Sequence, residues 1–395
     1  MTEIQARLAE LSELGLYRTT RLVSGPQGPR VVLDGKPVLL LCSNNYLGLA
    51  DHPRVQEAAA EAAARWGVGA GSSRLVSGTM TVHRRLEQRL AAFKRTEAAL
   101  LFGSGYLANL GVVSALSRAG EVIFSDELNH ASIIDGCRLS RAQTFVYAHN
   151  DTEHLAWGLA QAGDRSAVIV TESVFSMDGD LAPLVEIADL ARRHDVRLVV
   201  DEAHATGCLG PGGRGAVADA ELAGEIDVVI GTLGKALGAY GAFAACSDEL
   251  ARFLTNTARP LIFSTAPPPP AIAGALAALE LLEEQPRRVE RLRANAEVLR
   301  AELAREGFDV AGSTSQIVPL IVGEAQTAMR VCDAALEGGV FAQAIRPPTV
   351  APGTSRLRLA VMASHTKEEL REAARVLGRA ALHAGFRPAT AMPVA

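Results

Sequence analysis

No stretch of this sequence approaches the roughly 20 uninterrupted apolar residues that a membrane span requires, because its long alanine-rich segments all carry arginine or glutamate. The first residues, MTEIQARLAELSELGLYR, mix both charges with apolar spacing and lack the unbroken apolar core of a signal peptide, so they predict an ordinary leading helix and a cytoplasmic protein. Cysteine is scarce too. Cys42, Cys137, Cys208, Cys246 and Cys332 are far apart, odd in number and without a C-x-x-C pair, which argues against a disulfide framework and suits reduced thiols. His130, His149, His154 and His204 fall into no zinc-ligand spacing, so no metal is expected. Neither sign of charge dominates: the formal net charge is -5 and the basic residues are scattered, which gives no reason to expect nucleic acid or an anionic membrane as partner.

Lysine is the scarcest charged residue, and its placement is informative. Lys36, Lys94 and Lys367 lie in polar, turn-like or charged surroundings where a solvated amine costs nothing. Lys235 does not. In GTLGKALG (231–238) it follows the apolar run DVVI and is flanked by Gly, Thr, Leu and Ala, which predicts an amine held near the interior, where desolvation lowers the pKa of an ammonium group.

What the chain does have is alternation. From about residue 45 to 270, short β-branched runs alternate with longer helical patterns, the signature of a parallel sheet with crossover helices. Strands are predicted at 98–102, 121–126, 143–148, 166–172, 197–202, 227–232 and 241–246. Between two of them, DLAPLVEIADLARRHD places Leu181, Leu184, Ile187, Leu190 and Ala191 at helical spacing behind Asp180 as N-cap, one β-α-β unit. The prolines of STAPPPP (264–270) break helix and strand alike, so a boundary is expected there, followed by a smaller α+β lobe. The expected organisation is a short N-terminal segment (1–45), a large α/β domain (46–270) and a small C-terminal α+β domain (271–395).

In an open parallel sheet, ligands bind beyond the carboxyl ends of the strands. Three such ends carry chemistry: Glu172 to Ser176, Asp201 with His204, and Thr232 to Lys235. Taken alone, each has an ordinary explanation as a cap, a turn or a packed imidazole. Together they bring a carboxylate, an imidazole, hydroxyls and an amine toward one pocket. A fourth segment, FGSGYLANLGVV (102–113), ends a strand in two glycines and opens a helix, a seat for phosphate. It lacks the third glycine of a dinucleotide fingerprint, Asn109 standing there, so a small monophosphate fits better than a dinucleotide and a non-covalent nucleotide-binding Rossmann protein becomes the rival class. Amine, carboxylate, phosphate seat and a ring-stacking histidine, His130 in DELNHAS, point to pyridoxal 5'-phosphate.

The sequence resembles the α-oxoamine synthase family of pyridoxal phosphate enzymes over essentially its whole length. The resemblance rests on CSNNYLGLADHP, GVGAGSSRLVSGTMTVHRRLE, NHASIIDG, ESVFSMDGD, DEAHATG, GTLGKALG and IRPPTV. It implies the fold type I transferase architecture, a mostly parallel central sheet with helices on both faces plus the small lobe, and a homodimer. By similarity Lys235 binds the cofactor covalently and then serves as base, Asp201 pairs with the pyridine nitrogen, His204 and Ser176 attend the ring oxygen, and His130 stacks on the ring. Gly105, Tyr106 and Thr232 would cradle the phosphate, with Ser264 or Thr265 lent to the neighbouring subunit. Arg358 would grip the amino acid carboxylate, Arg18 and Thr349 the acyl substrate, and Asn45 would lie near the cofactor. Residues 344–359, AIRPPTVAPGTSRLRL, resemble the biotin-pathway branch more than the glycine acetyltransferase, 5-aminolevulinate or serine palmitoyl branches, with Ala351 and Pro352 departing from its pattern. That branch implies L-alanine and an acyl thioester, pimeloyl-CoA or a pimeloyl-carrier protein, as substrates.

Overall fold

A computed structural model describes residues 2–163, 165–310 and 312–387. The chain divides into two compact units, one made of 49–176 with 181–289, the other of 1–48, 177–180 and 290 onward.

The larger unit is organised by seven strands: β1 (Ala98–Phe102), β2 (Val122–Asp126), β3 (Gln143–Tyr147), β4 (Ala167–Glu172), β5 (Arg197–Asp201), β6 (Val228–Thr232) and β7 (Ala242–Cys246). Their order across the sheet is β1-β7-β6-β5-β4-β2-β3. All run parallel except β7, which lies antiparallel to both β1 and β6. Strands β4 to β7 are buried end to end except at Arg197, as their β-branched runs demand of a sheet covered on both faces. The register sets Glu172 beside Asp201, and Asp201 beside Ile230, so adjacent strands finish at one level and their terminal side chains share one edge.

Helix Leu184–Arg193 links β4 to β5 as expected, but its N-cap is Pro183 and no side chain caps it. Asp180 therefore does not cap this helix. Leu181 is instead bridged to Val174, which turns the chain before the helix begins. Nor do the prolines end a domain at 270. Pro269 and Pro270 open helix Pro269–Glu284, where an absent N–H costs nothing, and the helix packs on Pro53–Trp66 within the larger unit.

Lys94 is the clearest departure from the sequence reading. Its side chain is 3% exposed, and its ammonium pairs with Glu202 and donates to Thr206 Oγ1 (2.8 Å) and the Arg214 carbonyl (2.6 Å). Glu202 also accepts the Val217 N–H at 2.7 Å, so the pair pins the segment after β5 to the end of helix Thr81–Lys94.

In the smaller unit the N-terminal and C-terminal segments share sheets. Leu39 and Leu40 pair in parallel with Val340 and Phe341, which is why residues 1–45 form no separate domain. A three-stranded antiparallel sheet places Ser355–Ala360 between Ile317–Gly323 and Gln343–Ile345. Of the expected C-terminal lobe, residues 311 and 388–395 lie outside the described residues.

Candidate active site

The carboxyl edge of the large sheet collects the predicted groups. Asp201 closes β5 and is 5% exposed; its Oδ1 accepts the Ala203 N–H at 2.7 Å and its Oδ2 accepts from Asn109 Nδ2 at 2.6 Å. Two donors on a buried carboxylate favour its charged form. Glu172, its neighbour on β4, has the opposite setting. Burial first, and then the adjacent Asp201, push its carboxyl well above the usual carboxylate range, and its Oε1 has no hydrogen-bond partner among the described residues. Of these two carboxyl groups, the charge belongs on Asp201.

Lys235 lies in the loop joining β6 to the antiparallel β7, a loop closed by Leu233 N–H to the Gly241 carbonyl (2.9 Å) and Ala239 N–H to the Leu233 carbonyl (2.8 Å). Its Nζ is 2.8 Å from Nε2 of His204, which is itself buried just beyond β5. Thr232, the last residue of β6, donates to the Gly241 carbonyl (3.2 Å) and accepts the Gly234 N–H (3.2 Å).

Helix Gly105–Leu116 starts directly opposite. Ser104 caps it by accepting the Leu107 N–H at 3.3 Å. A Cβ added to Gly105 would lie 4.0 Å from that of Thr232, so a glycine here keeps the gap between helix start and β6 free. Tyr106 is half-exposed, donates its hydroxyl to Asp135 and stands edge-on to His130, with centroids 6.5 Å apart. His130 is the N-cap of helix Ala131–Ser140. Although the residue keeps solvent contact, burial of its ring lowers the imidazole pKa; Asp201 pulls it back up and Lys235 pushes it down. Ser176 is buried after β4. The Ser264 hydroxyl donates to the Pro260 carbonyl, and Thr265 is bridged to Ser73.

The remaining predicted residues belong to the smaller unit. Arg358, 7% exposed, donates to Asn44 Oδ1 and Tyr46 Oη, both at 3.3 Å, which presets its fork. The Asn45 amide donates to the Gln27 carbonyl at 2.8 Å, and its neighbour Asn44 accepts from Arg358. Arg18 and Thr349 line a cavity of about 420 Å³ together with Arg21, Arg346, Phe341 and Met329. The sequence reading missed Arg21 and Arg346 in this cavity, and Asn109, Ser132 and Glu172's unpaired oxygen at the sheet edge. A single amide inside an apolar helical run was the available signal for Asn109, because such a group must find a partner.

Residues 36–377 match the family model for aminotransferase class I and II. The chain is 52% identical to the 8-amino-7-oxononanoate synthase of Geobacter sulfurreducens over 95% of this chain and 97% of that one. It is 48% identical to the 8-amino-7-oxononanoate synthase of Thermoanaerobacter pseudethanolicus, over 93% of each. Among solved structures, serine palmitoyltransferase from S. paucimobilis superposes with a TM-score of 0.92 at 33% identity, covering 97% of both chains. The 8-amino-7-oxononanoate synthase of Francisella tularensis gives 0.76 at 27% identity, over 88% of this chain and 99% of that one. The chain belongs to the class I and II aminotransferase family, in its α-oxoamine synthase branch.

Proposed function

We infer that the protein is a pyridoxal 5'-phosphate-dependent acyltransferase that condenses L-alanine with a pimeloyl thioester, CoA or carrier protein, releasing CO2 and the thiol to give 8-amino-7-oxononanoate for biotin biosynthesis. The observation that carries this reading is the meeting of Lys235, His204 and Asp201 at neighbouring strand ends in a chain about half identical to synthases of that name.

The residues present fit the cofactor. Lys235 offers an amine, Asp201 a carboxylate for the ring nitrogen, His130 a ring face, Ser176 a hydroxyl for the ring oxygen, and Gly105, Tyr106 and Thr232 small or hydroxylic groups around a helix start that favours phosphate. When bound, pyridoxal phosphate supplies an electron sink for the substrate's α-carbon. The chain's own part is to move and hold protons. Lys235 Nζ takes the α-proton, a contribution of roughly 10²- to 10⁴-fold for a positioned base. His204, in hydrogen-bond contact with that nitrogen, steadies it. Asp201 keeps a positive charge opposite it, and Arg358 holds the amino acid carboxylate with a planar fork.

The cationic lining around Arg18 and Thr349 supports a role for that cavity in holding an acidic acyl chain. A homodimer is part of the same reading. Leu75, Val76 and Phe263 are 51%, 77% and 70% exposed on two neighbouring elements, Arg74–Gly78 and Arg259–Phe263, the kind of apolar surface a second copy covers. Ser264 and Thr265 follow on directly from it. Five free cysteines accord with residence in a reducing cytoplasm.

A panel of Ala, Gly and Ser against acetyl, succinyl, pimeloyl and palmitoyl thioesters tests the assignment. The pimeloyl–alanine pair is expected to be turned over best; a preference for glycine with acetyl-CoA would reassign the chain to glycine C-acetyltransferase chemistry.

A further inference from the structure

Helix Gly105–Leu116 is apolar along most of its length, and one buried amide interrupts it. Asn109 is 2% exposed, and its Nδ2 donates both to Asp201 Oδ2 at 2.6 Å and to Ser132 Oγ at 2.9 Å. Ser132, fully buried, lies two residues after His130. Its backbone N–H reaches His130 Nδ1 at 3.2 Å, and its Oγ is 2.7 Å from the same nitrogen.

The direction of every proton in this chain follows from the donor inventory. Because Nδ1 accepts the Ser132 N–H at 3.2 Å it carries no proton, and the Ser132 hydroxyl, closer at 2.7 Å, shares the same single lone pair as a second donor. The Ser132 oxygen in turn accepts from Asn109, whose second amide proton goes to Asp201. Turning the amide over would set Oδ1 against a carboxylate oxygen, acceptor to acceptor. In the observed orientation Oδ1 is buried without a partner among the described residues, an arrangement that costs free energy and persists only because the two donor bonds outweigh it. The helices must also come close for the chain to close. A Cβ on Gly136 would stand 2.9 Å from Val113 Cβ and 3.2 Å from the Asn109 carbonyl oxygen, so glycine there lets helix Ala131–Ser140 seat against helix Gly105–Leu116.

We propose that Asn109 and Ser132 are positioning residues that join Asp201 and His130 in one hydrogen-bonded chain, holding His130 as the neutral tautomer with its proton on Nε2 and Asp201 as the carboxylate. The two groups that would contact opposite parts of the cofactor ring, its nitrogen and its face, are thereby set by one network. The chemical meaning of the network rests on the cofactor reading above, but the bonds do not. Besides Ser132, His130 is faced by Asp201, Lys235 and Tyr106, and the Glu172 carboxyl lies near its backbone N–H. The lowering of its pKa by burial agrees with a neutral ring.

The test uses the full-length chain with ¹⁵N-labelled histidine, the His130 resonances being assigned with His130→Gln and followed against pH with and without added pyridoxal phosphate. In the wild-type chain Nδ1 is expected in the unprotonated range and Nε2 in the protonated range at neutral pH. Asn109→Leu removes the link to Asp201 and one of the two bonds the Ser132 oxygen can accept, leaving that oxygen a stronger acceptor for a proton on Nδ1, so the His130 midpoint is expected to rise by about half to one pH unit, the scale of one buried hydrogen bond. Ser132→Ala is expected to raise it similarly, and the double variant by no more than the larger single effect, since both break one chain. Where Leu unfolds the protein, Asn109→Ala removes the amide without adding bulk. A proton on Nδ1 in the wild type, an unchanged midpoint in the folded Asn109 variant, or additive effects would each overturn the proposal. Failure of Lys235 to capture cofactor would instead overturn the functional reading and leave the imidazole result standing.

Discussion

The Lys235 amine lies 2.8 Å from Nε2 of His204. Two bases in hydrogen-bond contact cannot both present a proton to the other, so one proton bridges them and the amine has a neighbour that can take or return it. Lys235→Ala is expected to abolish turnover and the visible absorption of covalently held cofactor, with the fold retained by circular dichroism. A variant that kept the absorption band would assign the covalent link to another residue. Borohydride reduction followed by peptide mapping locates it directly.

Asp201→Asn keeps the size of the side chain but leaves one acceptor oxygen where Ala203 N–H and Asn109 now have two, and it removes the charge proposed to balance a protonated ring nitrogen. The variant is expected to keep its cofactor and to lose α-proton exchange by on the order of 10²-fold or more, the scale of a lost electrostatic stabiliser. Exchange into deuterated solvent measures this without the acyl substrate, and near-wild-type exchange would contradict the assigned role.

Lys94→Met strips a fully buried glutamate of its cation. Breaking one side of a buried pair costs roughly 3 to 5 kcal/mol, so denaturant unfolding should show a loss of that size. Lys94→Met/Glu202→Gln should recover part of it, because the uncompensated charge has gone. If the single variant were as stable as wild type, the pair would not be holding the segment after β5.

His365 sets a pH dependence. Burial lowers its pKa from 6.5 to about 4, while its Nδ1 accepts the Met362 N–H at 2.9 Å and its Nε2 faces the Leu40 carbonyl at 3.1 Å. The folded chain keeps this ring neutral where the unfolded chain protonates it. Its contribution is therefore complete above pH 6.5 and is lost as pH falls toward 4, by about 3 kcal/mol at most. His365→Gln should be less stable than wild type at neutral pH and show a flatter stability profile between those limits. An equally steep profile would place the titration elsewhere.

Much of this was legible in the sequence. All seven strands of the large sheet are legible to within a residue at each end, the buried parallel β2, β4, β5 and β6 because they read as apolar runs rich in β-branched residues. The groups proposed to act on the substrate are legible as residues that end these strands or follow them within a few positions. What escaped was long-range pairing. Lys94 sits in a charged stretch and looked solvated, but its partner Glu202 is 108 residues away. Asn109 reads as a failed glycine, and its partners Ser132 and Asp201, 23 and 92 residues on, explain it. The prolines at 267–270 were read correctly as breakers, but composition does not say whether a breaker ends one helix or begins the next.

The loop at 233–241 differs from the rest of the pocket in how it is closed. It joins strands that are neighbours both in sequence and in the sheet, whereas Asp201 and Asn109 meet only after several crossovers. Closing a short loop costs little chain entropy and closing a long one costs more, so the seat of Lys235 is the local, inexpensive part of the pocket and its walls are the part that depends on the whole domain. During refolding, the return of covalently held cofactor therefore reports the completion of the domain, and a chain nicked far from residue 235 should lose capture with its hairpin still formed.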